Sequence, residues 1–333
     1  ISLGPLTRPC PSRACAGNGG GALMAGSLST PVLVPGVPAQ RRLDQASGLR
    51  AAMTSNPQDP PRIQVIAVSS GKGGVGKSNV VANLAVAAAR QGRKVLIMDA
   101  DLALGNVDIL LGLTPQYTIE DVLSGQRSLK DVLVTGPEGI RLLPATSGGQ
   151  AFTQLTHEQQ LHLQSAFLQL ASPPDLLLID CAAGISANVL YFSLVAHETL
   201  VVVSPDPTSL TDAYALVKIL STRYHLRTFR MLVNKVKHTQ EGKDVFRKLS
   251  LVTDRFLNIS LDYLGCVPAD DYVTMAVAQQ RAVCDVYPRA PASRAFSSLV
   301  KTLNDWRGDG SWQGGFQLFG PAALGATRTV TEG

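Results

Sequence analysis

A glycine-rich loop directly after an apolar run constrains this chain more than any other feature. Residues 65–68 lead into the sequence GKGGVGKS at residues 71–78. Glycines let the backbone curl so that N–H groups point at phosphate oxygens, beside the positive end of the following helix. A strand, this loop and a helix beginning at Lys77 form the context in which the pattern binds phosphate. The sequence therefore predicts a phosphate-binding loop in a parallel α/β domain.

The polar side chains of the loop indicate a nucleoside triphosphate and Mg²⁺. We expect Lys77 to reach the β- and γ-phosphates and the Ser78 hydroxyl to be a magnesium ligand. A loop that was merely flexible would require neither side chain. The predicted nucleotide contacts in this stretch are Gly71, Lys72, Gly73, Gly74, Val75, Gly76, Lys77, Ser78 and Asn79.

Acidic residues follow two further apolar runs. Asp99 and Asp101 come at the end of the run that starts at residue 95, and Asp180 follows the four apolar residues at 176–179. Open α/β sheets bind their ligands at the carboxyl ends of the strands, so these carboxylates are candidates for the site. A lone aspartate at a strand end is often structural, but the phosphate loop upstream favours Asp180 as the residue that holds Mg²⁺ through a water molecule.

The stretch Asn234-Lys235-Val236-Lys237 bears on the choice of base. Guanine-selective proteins with this type of loop carry an aspartate at the last of these four positions. A lysine there favours adenine, with Asn234 kept as a base contact. The predicted cofactors are therefore ATP and Mg²⁺.

Short apolar runs alternate with longer helical stretches from residue 63 onward. This alternation predicts one doubly wound, mostly parallel sheet with helices on both faces, over residues 61–306. Strands are expected at 63–68, 94–98, 140–143, 176–179, 199–203, 229–233 and 261–266. Helices are expected at 77–90, 156–170, 210–224, 245–256 and 291–306.

The two flanking segments differ in composition from the domain. Residues 1–60 are rich in glycine, proline, serine and alanine, which is typical of a disordered leader, and the first methionine is Met24. Residues 44–53 are the exception, because their spacing suits one short amphipathic helix. Residues 307–333 are glycine-rich and predict a flexible tail.

Charge and cysteine content exclude several classes of function. The net charge is +5, but the leader holds five arginines against two aspartates, and no basic cluster interleaved with aromatic residues is visible. Direct nucleic-acid binding is therefore not expected. The five cysteines form no C-x-x-C pair, which argues against a zinc site and an iron–sulfur carrier and favours a reducing cytoplasm. No apolar run is long enough to span a membrane.

Together these motifs resemble the MinD/ParA family of dimerising ATPases. The resemblance implies that Lys72 crosses a dimer interface to phosphates bound by the partner, whereas a solvated lysine is the alternative. It implies that Asp99 supports the metal, that Asp101 positions or deprotonates the attacking water, and that Asn106 senses the γ-phosphate. Lys72, Lys77 and Asp101 are thus the predicted catalytic residues.

The same resemblance extends to the base site. Residues 267–270 are similar to the family's second adenine-side loop, which implies nucleotide contacts from Pro268 and Asp270. A plain turn would have a similar sequence.

Residues 106–113 and 207–216 are similar to the branch of the family that regulates flagellar number. This implies an ATP-bound homodimer that acts on flagellar regulators, including a transcription activator and switch-complex proteins. The leader patch at 44–53 is similar to the segment with which this branch stimulates an FlhF-type GTPase. Septum placement, chromosome partition and a nucleotide-gated adaptor with incidental turnover are the alternatives.

Localisation stays open between the cytoplasm and the inner face of the membrane or cell pole. The family ends in an amphipathic membrane-targeting helix, and residues 314–319 are similar to its beginning. Gly320 and Pro321 follow at once, however, and a proline stops a helix.

Overall fold

The computed structural model describes residues 63–102, 104–145 and 154–305. The predicted leader over 1–60, its helix at 44–53 and the tail over 307–333 lie outside these residues. The outer limits expected for the domain, 61 and 306, lie outside them as well.

A single eight-stranded sheet forms the centre of the described residues, in the order β3-β4-β2-β5-β1-β6-β7-β8. All neighbours pair in parallel except β3 and β4, which are antiparallel. The strands are β1 (Gln64–Ser70), β2 (Val95–Ala100), β3 (Val134–Thr135), β4 (Arg141–Leu143), β5 (Leu176–Ala183), β6 (Glu198–Val203), β7 (Thr228–Val236) and β8 (Ser260–Pro268). The doubly wound fold expected from the sequence is confirmed.

Helices cover both faces of the sheet. One face carries α1 (Lys77–Arg90), α2 (Val107–Leu110), α9 (Asp271–Ala278), α10 (Val283–Val286) and α11 (Pro291–Asp305). The other carries α3 (Ile119–Leu123), α4 (Leu129–Val132), α5 (His157–Leu168), α6 (Ala187–Val195), α7 (Pro207–Tyr224) and α8 (Thr239–Phe256). Every residue of β1 and β2 is buried, as expected for strands with helices on both sides.

All seven strands and all five helices predicted within residues 61–306 are present, with ends that differ by a few residues. The helix α7 begins at Pro207 rather than at residue 210, because Asp206 caps it by accepting a hydrogen bond from the Ser209 N–H. Most of the unpredicted elements are two to five residues long, which is too short for a periodic pattern to show. The longer α6 was missed because apolar residues occur all around it.

Among the helices in the described ranges, none is both long and apolar enough to cross a membrane.

A half-buried histidine joins the neighbouring strands β1 and β6. His197 precedes β6, and its Nδ1 accepts a hydrogen bond of 3.1 Å from the Val65 N–H. Burial lowers the pKa of His197 to about 4, because the charged imidazolium is poorly solvated there. The neutral ring is thus the form that fits the fold.

This lowered pKa predicts a loss of stability in mild acid. Between pH 6.5 and 4 the unfolded chain binds the proton more tightly than the folded chain, so stability is full above about pH 6.5 and falls toward pH 4. The loss from this group amounts to at most about 3 kcal/mol. Chemical denaturation across this range should show a shallower pH dependence for His197→Asn, which keeps an acceptor but does not titrate. His157→Gln, at an exposed position, should behave as wild type. Equal pH dependence in wild type and His197→Asn would contradict the assignment.

Candidate nucleotide-binding site

The glycine-rich loop forms the floor of a cavity of about 390 Å³ at the carboxyl end of β1. Gly74 and Gly76 have φ angles of 80° and 87°, a left-handed conformation that favours glycine. Gly76 is also the N-cap of α1, so the helix begins at Lys77 as predicted. The lining residues are Ser70, Lys72, Gly73, Gly74, Val75, Gly76, Lys77, Ser78, Asn79, Asp101, Ala183 and Lys235. The structure thus places most of the predicted loop contacts around one cavity.

Gly71 does not line this cavity, although it was predicted as a nucleotide contact. It lies against the backbone of α7, where a Cβ atom on Gly71 would approach the Asp212 carbonyl carbon to 2.1 Å. Only glycine fits such a close approach of two backbones. Its observed role is to let the loop pack onto α7.

Lys77 and Asp180 form a buried ion pair within the site. Lys77 Nζ lies 2.5 Å from Asp180 Oδ1, and the two side chains are 8% and 1% exposed. Burial lowers the pKa of Lys77, but attraction from the Asp180 carboxylate more than reverses this and the pKa is raised. Burial raises the pKa of Asp180, and Lys77 offsets this only in part. The pair joins the phosphate loop to the end of β5.

Asp99 lies beside Asp180, since the two residues pair in register between β2 and β5. Burial, and then repulsion from Asp180, raise the pKa of Asp99 to about 8. Its Oδ1 accepts a hydrogen bond from the Asp101 N–H, and its Oδ2 accepts one from the Val107 N–H, both at 3.1 Å. Asp99 therefore holds the loop that carries Asp101. Its contribution to the metal stays a prediction.

The donor groups around the loop fit Mg²⁺. Two buried carboxyl groups, Asp99 and Asp180, lie beside one buried ammonium group, and a cation bound there would favour the ionised form of Asp99, whose pKa is raised. Ser78 also hydrogen-bonds to Asp180, which brings a hydroxyl and a carboxylate oxygen together. Magnesium in nucleotide sites takes one or two protein oxygen ligands and completes its shell with water and phosphate. Among the described residues, no group of three or more histidine, cysteine, aspartate or glutamate side chains is arranged to hold a metal ion.

Lys72 lines the phosphate cavity, and its ammonium group contacts side chains at the start of α7. Its Nζ lies 3.0 Å from Asp206 Oδ1 and 2.6 Å from Thr208 Oγ1, at the start of α7. The Lys72 and Asp206 side chains are 38% and 41% exposed. Their ion pair is therefore weak, worth about 1 kcal/mol or less.

A second cavity of about 470 Å³ adjoins the first, since Gly76, Asn79 and Lys235 line both. It brings together the predicted base contacts Asn234, Pro268 and Asp270. The Asp270 carboxylate is already engaged, because it caps α9 through the Tyr272 N–H and accepts a hydrogen bond from the Ala292 N–H. Asp270 thus shapes the cavity and joins α9 to α11.

Two predicted residues of the loop after β2 lie at different places. Asp101 lines the phosphate cavity, and its Oδ1 accepts a hydrogen bond of 3.2 Å from the Leu104 N–H. Asn106 is exposed, lies outside the two cavities and donates a hydrogen bond to the Leu104 carbonyl. Its proposed sensing of the γ-phosphate stays a prediction.

Sequence reasoning missed Lys235 and Asp206. Lys235 donates a hydrogen bond to the Gly74 carbonyl, and Asp206 holds Lys72. The only local signal for Lys235 is its place after Asn234. Asp206 carries no motif, although its position before a proline suits a helix cap.

Comparison with known proteins places the chain among nucleotide-binding proteins. Residues 66–283 match the model of the CobQ/CobB/MinD/ParA nucleotide binding domain. The chain is 48% identical over 244 residues to the antiactivator FleN of Pseudomonas aeruginosa, covering 73% of this chain and 87% of that protein. It is 29% identical over 239 residues to the flagellum site-determining protein YlxH of Helicobacter pylori, covering 72% and 81%. The septum site-determining protein MinD of Pyrococcus horikoshii complexed with Mg-ADP superposes with a TM-score of 0.62 at 25% identity, covering 74% and 98%.

The contact between Gly71 and α7 predicts a strong effect of one added methyl group. Gly71→Ala should lower the free energy of unfolding by about 1–3 kcal/mol, because the loop and helix must separate. Gly73→Ala is the matched control, since nothing lies within 4 Å of its Cβ position. Chemical denaturation without nucleotide measures both. Equal stability of the two variants would refute the packing argument.

Proposed function

The chain belongs to the CobQ/CobB/MinD/ParA nucleotide-binding family, and we propose that it is an ATPase that dimerises with ATP and controls flagellar number and placement. The observation that carries the ATPase proposal is the cavity formed by the glycine-rich loop, with Lys77 and Asp180 paired at its base. The identity to FleN, and the similarity to a flagellum site-determining protein, support the cellular role.

The residues around the cavity divide the proposed chemistry among them. Loop N–H groups and Lys77 bind the β- and γ-phosphates and stabilise the charge that develops there. Asp101, which lines the same cavity, orients the attacking water or accepts its proton. Ser78 and Asp180 would hold a magnesium ion, and the ion would neutralise phosphate charge. Adenine is the proposed base, because Lys237 stands where a guanine-reading carboxylate would be required.

Lys72 connects nucleotide binding to dimerisation in this proposal. In the single chain it contacts Asp206 and Thr208, at an exposed position. When two copies meet, Lys72 leaves Asp206 for the phosphates of the opposite subunit. The weak ion pair costs little to break, and the triphosphate of the opposite subunit attracts the lysine more strongly than one carboxylate does. ATP thus favours the dimer, and hydrolysis favours the monomer.

The cellular part of the proposal rests on flagellar relatives and on the leader segment. Residues 44–53 stimulate an FlhF-type GTPase, and the ATP-bound dimer acts on a flagellar transcription activator and on switch-complex proteins. The protein works in the cytoplasm, with peripheral attachment at the inner membrane face or cell pole as the open alternative. Septum placement or chromosome partition is less well supported, because the leader patch is not expected for those functions.

The dimer switch predicts three oligomeric states. Wild type should be a monomer with ADP and a transient dimer with ATP, whereas Asp101→Ala with ATP should be a trapped dimer because hydrolysis is lost. Light scattering after size-exclusion chromatography distinguishes these states. Lys72→Ala should abolish both the dimer and hydrolysis, and Lys130→Ala, which removes an exposed charge elsewhere, should leave both intact. A monomer under every condition would end the switch proposal.

Deleting the leader segment distinguishes two hypotheses: an enzyme with a regulatory output and a nucleotide-gated adaptor. Deletion of residues 44–53 should leave ATP hydrolysis unchanged and abolish stimulation of the partner GTPase. The measurement is phosphate release from each protein alone and from the mixture. Undiminished stimulation after the deletion would remove the leader from the mechanism.

A further inference from the structure

Lys235 lies in an irregular part of β7, beside the phosphate loop. Asn234 pairs with Val267 and Val236 pairs with Pro268 of β8, and the register shifts between these two pairs. Lys235 itself has a φ of 61°, in the left-handed region that lysine rarely adopts. Such a conformation persists where surrounding contacts stabilise it, and it occurs often at ligand sites. The exposed side chain lines both the phosphate cavity and the base cavity.

Two side chains of β7 hold two successive carbonyl groups of the phosphate loop. Lys235 Nζ donates a hydrogen bond of 2.8 Å to the Gly74 carbonyl, and Asn234 Nδ2 donates one of 2.8 Å to the Val75 carbonyl. Gly76 permits this approach, because a Cβ there would lie 2.5 Å from Asn234 Nδ2. The loop is thus bound to β7 as well as to its own strand and helix.

These contacts set the direction of the loop's N–H groups. The Gly74 carbonyl and the Val75 N–H belong to one planar trans peptide unit, so they point in opposite directions. The Val75 carbonyl and the Gly76 N–H are related in the same way. When Lys235 and Asn234 bind the carbonyls, both N–H groups are turned away from β7. Backbone N–H groups are the main phosphate donors of such a loop.

The charge of Lys235 is suited to a phosphate site. Within the described ranges its ammonium group contacts a carbonyl and forms no salt bridge with a carboxylate. By contrast, Lys77 is paired with Asp180 and Lys72 with Asp206. A hydrogen bond from a charged donor is about twice as strong as a neutral one.

We propose that Lys235 is a positioning residue for the nucleotide, which fixes the peptide between Gly74 and Val75 so that the Val75 N–H faces the phosphates. Lys235 acts on the phosphate loop, so its effect on binding should be the same whichever base the nucleotide carries. Asn234 and Lys235 come just before the position at which guanine-selective proteins carry an aspartate. In this chain the two residues would thus act on the phosphate loop. The inference rests on the proposed function only in that the ligand is a nucleoside polyphosphate.

The test compares Lys235→Met with Lys237→Met in the full chain. Both changes remove one exposed ammonium and keep an unbranched stem, but Lys237 lines neither cavity. Calorimetry with Mg²⁺ should show that Lys235→Met raises the Kd for ADP about tenfold. Competition experiments should show the same factor for pyrophosphate. Lys237→Met should stay within about twofold of wild type, and Lys235→Arg should recover most of the affinity, since it keeps a charged donor.

A second readout separates positioning from simple charge attraction. In amide NMR spectra without nucleotide, Lys235→Met should shift the Val75 N–H signal, and Lys237→Met should not. The Lys235→Met effect on the Kd should also persist at high salt, where long-range attraction is screened. Equal weakening by the two variants, an unmoved Val75 signal, or loss of ADP affinity without loss of pyrophosphate affinity would each overturn the proposal.

The same measurement distinguishes this inference from the proposed function. Wild type is titrated with both ADP and GDP, and its preference tests the adenine assignment. The ratio of variant to wild-type Kd, taken with the nucleotide that binds more tightly, tests Lys235. A preference for GDP would refute the ATPase assignment and leave the comparison of Lys235 and Lys237 intact.

Discussion

The buried pair of Lys77 and Asp180 is the contact on which the arrangement of the site depends. It joins two segments that are about a hundred residues apart in the chain, the first turn of α1 and the end of β5. Removing either partner would leave an unpaired charge in the interior, which costs several kcal/mol. Because Asp99 lies next to Asp180 in register, repulsion between the two groups adds to burial in raising the pKa of Asp99. A cation bound beside the two groups would favour the ionised form of Asp99.

The elements of the fold could be predicted because buried parallel strands have a plain signature. Runs such as residues 176–179 are apolar throughout, and the acidic residue that follows this run, Asp180, lies in the carboxyl-terminal half of β5. The loop at 71–78 has fixed spacing, so its strand, turn and helix could be located together. Elements of four or five residues, such as α2 and α4, carry no comparable signal.

The parts of the site that sequence did not predict are those that depend on distant contacts. Lys235 reaches a carbonyl 161 positions away, and Asp206 reaches Lys72 across 134 positions. Asp99 could be predicted as a site residue from its place at the end of a strand, but its hydrogen bonds to the loop backbone could not be predicted. Gly71 belongs to the predicted pattern, and only the fold shows that its contact with α7 leaves no room for a side chain. A motif thus predicts candidate residues of a site, whereas the partners of each residue depend on the topology.

The contact between Gly71 and α7 has a mechanical consequence. Two backbones in direct contact leave no compressible side chain between them, and protein interiors deform little under load. The helix α7 has 18 residues, which corresponds to a rod of about 27 Å. The loop therefore cannot shift toward α7 unless the helix shifts with it, so the position of the phosphate loop and that of the helix are coupled.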